Sequence, residues 1–237
     1  VIMSGYTFEL GPIRPVDEAD SLLIRTTRGC PWNKCEFCVN YRDMDFCTRT
    51  VDDIKKDIES AAQYYSGHQF ESCFLQDGDS FIMETHDLID VLTFLKKKFP
   101  NLKQISSYGR AQTMIKKSSK EIQEICDAGL NKLYCGMESG SDKILKKTKK
   151  GTTRSQIIEA ALTAKQAGMT MSHFIISGLG GKELWKAHAI ETASALNHIN
   201  PDKIRVLTIG VKKGSGLELQ MEQGRFQLQS ETQIIEE

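Results

Sequence analysis

The sequence predicts an α/β chain of six βα units around a parallel sheet, and three observations predict it. Six short apolar runs, at 22–27, 72–76, 104–108, 132–137, 170–177 and 203–209, read as strands, several with little polar alternation, as in Phe174-Ile175-Ile176. Segments with helical period separate them. Glycine recurs between the end of a helix and the next strand, the expected C-cap chemistry.

In chain order, the first run (22–27) feeds an irregular region, 28–47, that is inserted before the first helix. Helix 51–65 places Val51, Ile54, Ile58, Ala61, Ala62 and Tyr65 on one stripe and Lys55, Lys56 and Glu59 outside it. Helix 87–99 repeats Leu88, Val91, Leu92 and Leu95. Helix 118–128 carries Ile122, Ile125 and Cys126 and stops at Gly129; helix 153–167 carries Ile157, Ile158, Ala161 and Ala164 and stops at Gly168. Helix 183–197 shows Ala187, Ile190, Ala193 and Leu196. After the first interval, strand starts fall roughly 30–40 residues apart, the length of one βα unit with a right-handed crossover. An open six-stranded barrel and a doubly wound sheet both fit, and both place chemistry at the C-terminal strand ends. Beyond Ile209 the pattern thins to a loop at 212–215 and a capping box at Ser230-Glu231-Thr232-Gln233.

The 237 residues suffice for one large domain, divided as an N-terminal extension (1–21), a core (22–210) and a C-terminal segment (211–237). Thirty-one Lys+Arg balance 31 Asp+Glu, which disfavours a globally basic nucleic-acid binder. No apolar run approaches the 18 residues or so that span a bilayer, and residues 1–10 lack the pattern of a secretory signal. The seven cysteines cannot all pair, so a reduced, cytoplasmic setting is expected.

Cys30, Cys35 and Cys38 fall within nine residues, directly after the first strand. Thiolates suit iron–sulfur clusters or zinc. Three on one loop hold three corners of a cuboidal cluster and leave one iron open. Closure by Cys47 would instead make a structural zinc site, the reading of a thiolate-stabilised binding module without radical chemistry. A nucleotide-binding α/β enzyme with incidental thiols is the other rival.

The thiolate loop, with Phe37 just before the last cysteine and a strand before the first, resembles the cluster loop of radical S-adenosylmethionine (SAM) enzymes. Four residues, Pro31 to Lys34, separate the first two cysteines where the usual spacing is three. The resemblance runs from about residue 22 to 217 and implies a partial (β/α)6 TIM-type barrel with parallel strands. It implies a [4Fe-4S] cluster on Cys30, Cys35 and Cys38, with SAM bound at its open iron. Asp77-Gly78-Asp79 stands where the family has a glycine-glycine-glutamate motif holding the SAM amino group; Asp77 replaces the first glycine and Asp79 the glutamate. Gly136-Met137-Glu138-Ser139-Gly140, with Lys150-Gly151 downstream, is similar to the branch of coproporphyrinogen dehydrogenases, tRNA methylthiotransferases and Elongator-type subunits. There Glu138 and Ser139 approach SAM, and Lys150 meets its carboxylate. Gly178 and Leu179 stand in a turn that passes the adenine. Phe174 stands where the porphyrin branch has an aspartate. The implied partners are SAM, an unidentified substrate and a flavodoxin- or ferredoxin-like one-electron reductant, with no membrane and no indicated nucleic acid. No cobalamin-binding or RNA-binding appendage is read in the sequence, so neither methylthiolation nor cobalamin-dependent methylation is expected. His173 reads as a packed core histidine, and Ser106 to Arg110 as polar groups at the barrel mouth.

Overall fold

The computed structural model describes residues 13–237; residues 1–12 of the N-terminal extension lie outside the described residues. After a short 3-10 turn, Val16–Glu18, the elements run in order: β1 (Leu22–Arg25), β2 (Thr27–Arg28), β3 (Cys47–Thr48), α1 (Val51–Tyr64), β4 (Ser72–Gln76), α2 (Thr85–Lys98), β5 (Gln104–Tyr108), α3 (Ala111–Met114), α4 (Ser119–Ala128), β6 (Leu130–Glu138), α5 (Asp142–Lys147), α6 (Arg154–Gln166), β7 (Thr170–Ser177), α7 (Gly181–Ile199), β8 (Lys203–Thr208), α8 (Gly216–Glu222) and α9 (Glu231–Glu236). Six strands form one parallel sheet in the order β1-β4-β5-β6-β7-β8. Among the described residues β1 and β8 do not pair, so the chain forms a partial barrel, six βα units with an open side.

Alternation along the strands sorts the core into two layers. Leu22, Ile24, Cys73, Leu75, Leu133 and Cys135 point outward into the main cluster with Ile54, Ile58, Leu88, Leu92, Ile122 and Ile157 from the helices. Leu23, Phe74 and Tyr134, one position out of step with these, pack inside with Tyr108 and Phe174. Helix starts follow local chemistry. Thr50 caps α1 by accepting from the Asp53 N–H, and Ser118 and Thr153 form complete capping boxes with Glu121 and Gln156. Gly129 ends α4 at φ +124°, a conformation costly to any other residue.

Several boundaries differ from the sequence reading. The first run breaks at Thr26, whose N–H and hydroxyl both donate to Gln76 O; the chain then leaves the sheet and pairs β2 with β3 as a small antiparallel ladder. Cys47, at the end of the region read as irregular, therefore lies on a short strand, β3. Helix α7 begins at Gly181, two residues early, and α3 and α5, with four and six residues, are too short to show a periodic stripe. The capping box at Ser230 and Gln233 does start a helix, α9.

Candidate active site

The thiolate loop is held by backbone contacts from both sides. Gly29, at φ +75°, donates its N–H to Asp77 Oδ2 (3.2 Å), and Gly78 N–H donates back to Gly29 O (3.1 Å). A Cβ on Gly78 would lie 2.9 Å from Gly29 O and 3.2 Å from Cys30 Cβ, so only glycine lets the end of β4 press against the loop. Arg42 faces three loop carbonyls, donating to those of Asn33 (3.0 Å), Cys35 (2.7 Å) and Cys38 (3.0 Å). Trp32 Nε1–H donates to Lys149 O (2.7 Å), and Glu36 N–H to Thr148 O (2.9 Å), which fastens the loop to the segment after α5.

Cys35 is buried and Cys30 and Cys38 are half-buried. Burial pushes the Cys35 thiol up, against the pull of Lys150 and Arg110. A thiol in this position ionises when a cation binds it. Arg110 Nη1 lies 3.9 Å from Cys30 Sγ, and its guanidinium stacks near Trp32. Cys47 is exposed, with the Arg28 guanidinium 4.0 Å from its sulfur. Among the described residues no three His, Cys, Asp or Glu side chains converge on one ion position.

The β4 turn carries two carboxylates in different situations. Asp77 is engaged: besides Gly29 it meets Arg25 Nε at 3.3 Å, and so braces the loop against β1. Asp79 is fully buried; Thr113 donates to Oδ2, while Oδ1 has no partner in hydrogen-bond geometry. Burial pushes the Asp79 carboxyl up to about 7, and Thr113 and Arg110 offset only part of that. A half-paired buried carboxylate of this kind fits an ammonium donor.

On β6 the register shifts between Gly136 and Glu138, and Glu138 adopts φ +63°, the left-handed region that non-glycine residues rarely occupy. The bulge turns the carboxylate back across Gly136 to accept from Lys150 Nζ at 2.8 Å, both side chains nearly buried. A Cβ on Gly136 would fall 2.3 Å from Glu138 Oε1. Burial alone would lower the Lys150 pKa, but Glu138 and Cys35 raise it overall, so the ammonium stays charged. Its Nζ also stands 6.0 Å above the Phe37 ring. Ser139 is buried in the turn, its hydroxyl accepting from Ser141 N–H. Leu179 packs with Ile144, Ile176 and Phe37, so the expected Phe37 and Leu179 share one apolar cluster. Gly178, at φ +86°, has Ile209 where a side chain would go and donates its N–H to Glu237.

The sequence profile of the Radical SAM superfamily matches residues 24–189. The chain belongs to the radical SAM superfamily. It is 30% identical over 159 residues to an uncharacterized methyltransferase of Pyrococcus horikoshii, covering 65% of this chain and 32% of that protein. It is 24% identical over 203 residues to the anaerobilin synthase of Escherichia coli O157:H7, covering 81% of this chain and 44% of the relative. The chain thus spans about a third to under a half of the curated relatives' lengths. Among solved structures it resembles the radical SAM coproporphyrinogen III oxidase of Escherichia coli (TM-score 0.69, 15% identity, 91% of this chain and 49% of that one). It also resembles methylornithine synthase (TM-score 0.63, 19% identity, 84% and 56%).

Of the candidate residues, the thiolate loop, the Asp77-Gly78-Asp79 turn, Glu138 and Gly178 lie at or just beyond the C-terminal ends of strands, while Lys150 reaches them from beyond α5. The sequence reading missed Arg42, Tyr41, Thr113 and Gln76. Each is an ordinary residue type whose part shows only once the loop is folded against the sheet; Arg110 had been noted only as polar and facing the mouth.

Proposed function

We propose that this chain binds a [4Fe-4S] cluster through Cys30, Cys35 and Cys38 and binds SAM beside it, as a radical SAM enzyme acting by hydrogen abstraction. The observation that carries the reading is the clamp of Gly78 against the three-thiol loop with the half-paired Asp79 carboxylate next in sequence. When bound, the cluster supplies one electron that splits SAM into methionine and a 5′-deoxyadenosyl radical. Asp79 accepts from the SAM ammonium through Oδ1. Lys150 offers the SAM carboxylate a charged partner while Glu138 keeps it ionised. Phe37, Leu179 and Gly178 form the apolar and glycine surface for the adenosyl group. Asp77 acts on the loop through Gly29, and Arg110 balances negative charge at Cys30. Cys47 is exposed on β3 beside the Arg28 guanidinium, whereas Cys30, Cys35 and Cys38 are half-buried or buried in the loop, and this contrast favours three thiolate ligands over a closed zinc site.

The electron donor in this reading is a small acidic redox protein. Lys34, Lys146 and Lys149 line an open cavity of about 630 Å³ beside Trp32, and suit such a partner. The setting is cytoplasmic, in keeping with free thiols and with the lack, among the described residues, of any helix long and apolar enough to cross a membrane. Anaerobic reconstitution with iron and sulfide, then SAM and dithionite, tests the reading by chromatography: 5′-deoxyadenosine forms with the wild-type chain and not with Cys35→Ala. A fully reconstituted wild-type sample that yields none contradicts it.

A further inference from the structure

Two buried polar side chains near the mouth of the barrel have no hydrogen-bond partner, and neither belongs to the cofactor constellation above. Gln76 is 1% exposed, and both its amide oxygen and its amide nitrogen lack partners. It follows Phe74 by two residues on β4, so it shares the inner face, in register with Arg25. Tyr41, carried by the thiolate loop, packs over Gly78; its buried hydroxyl is also unpartnered and feels Asp77, Tyr108, Cys30 and Cys38. Native proteins satisfy nearly all buried polar groups, so orphans of this kind mark a place for a ligand.

The surroundings define that ligand. The inner wall is aromatic: Phe74 and Tyr108 meet edge to face at 5.2 Å, and Tyr108 and Phe174, each partly exposed, stand 6.5 Å apart. Four of the inward cations are already matched with acids: Arg25 with Asp77, Lys150 with Glu138, Lys132 with Glu18 and Arg205 with Asp17; Arg110 is turned to the thiolate loop instead, against Cys30 Sγ and Lys150 O. An anionic group would find only Arg110, already set against the thiolate loop, whereas the Gln76 primary amide offers a donor and an acceptor side by side.

We infer that the barrel interior takes an uncharged, planar substrate group bearing an adjacent donor and acceptor, an amide or lactam edge, read by Gln76 and Tyr41 as specificity residues. This rests on the radical SAM reading for the chemistry but not for the binding. Nicotinamide and nicotinate are matched probes, alike in ring and differing in that edge. Ligand-observed NMR titration of the full chain, with and without SAM, should show nicotinamide binding about tenfold or more tighter than nicotinate. Gln76→Leu should abolish that preference, and Tyr41→Phe should weaken nicotinamide about fivefold. Both variants should melt at or above the wild-type temperature, because an unsatisfied buried polar atom is replaced by an apolar one. Nicotinate binding as well as nicotinamide, neither binding, displacement of nicotinamide by SAM, or a lower melting temperature for Gln76→Leu would each overturn the inference. Failure of the cofactor reading would look different: a wild-type chain with no iron–sulfur absorbance and no SAM binding, whatever the probes do.

Discussion

Asp79 and Asp77 lie two residues apart, both buried, and differ in their partners. Asp77 is spent on Gly29 and Arg25, while Asp79 is sealed, half paired and pushed up toward neutral pH. Asp79→Asn keeps the shape and removes the charge. It is expected to raise the KM for SAM roughly ten- to a hundredfold, the worth of one charge-assisted hydrogen bond of about 1.5–3 kcal/mol; initial-rate kinetics of SAM cleavage check this. The three cysteines, Gly78 and Asp79 were legible in the sequence because their chemistry is uncommon and their spacing local. Arg42 and Tyr41 were not, since a loop arginine gathering carbonyls and a loop tyrosine without a partner have no sequence signature. The motif register separates the two aspartates, with Asp79 in the glutamate's place, but only the fold shows that Asp77 is taken up by Gly29 and Arg25.

Among the elements, β4 and β7 carry the clearest consequences. Gly78→Ala would set a Cβ 2.9 Å from a backbone oxygen that cannot move alone, so the turn and the loop must separate. Its expected effect is a loss of about 1–3 kcal/mol of stability and a fall in bound iron per chain, read by denaturant unfolding and metal analysis. On β7, His173 is fully buried with both ring nitrogens unpartnered, and burial lowers its pKa from 6.5 to about 4. The unfolded chain binds the proton more readily, so this contribution is complete above pH 6.5 and is lost as pH falls toward 4, amounting to roughly 3 kcal/mol at 1.36 kcal/mol per pKa unit. His173→Phe should therefore lose less stability than the wild type between pH 7 and pH 4.5 in urea unfolding. The six strands and five long helices were legible from apolar runs and stripes. The break at Thr26 was not, because it depends on Gln76 O on a strand 50 residues later.

At the scale of the molecule, the partial barrel is sealed at one end and chemically equipped at the other. Glu18, fully buried, accepts from Ser21, Gln104 (3.1 Å) and Tyr134 (2.6 Å) and pairs with Lys132 (3.5 Å), while Asp17 holds Lys203 and Arg205 of the edge strand β8. Residues 13–21 thereby close the floor, a role for the N-terminal extension that composition alone does not suggest. Glu18→Ala strands a nearly buried lysine and is expected to cost about 3–5 kcal/mol, seen as a sharp drop in melting temperature with little change in the loop chemistry. At the opposite end, Cys30, Cys35 and Cys38 would hold the cluster, with SAM bound beside it. Electron paramagnetic resonance of the dithionite-reduced, reconstituted chain tests this most directly. The account predicts a reduced-cluster signal that shifts when SAM is added, disappears in Cys38→Ala and is unaltered in Cys47→Ser. A chain that takes up zinc in place of iron, or a signal blind to SAM and dependent on Cys47, would contradict it.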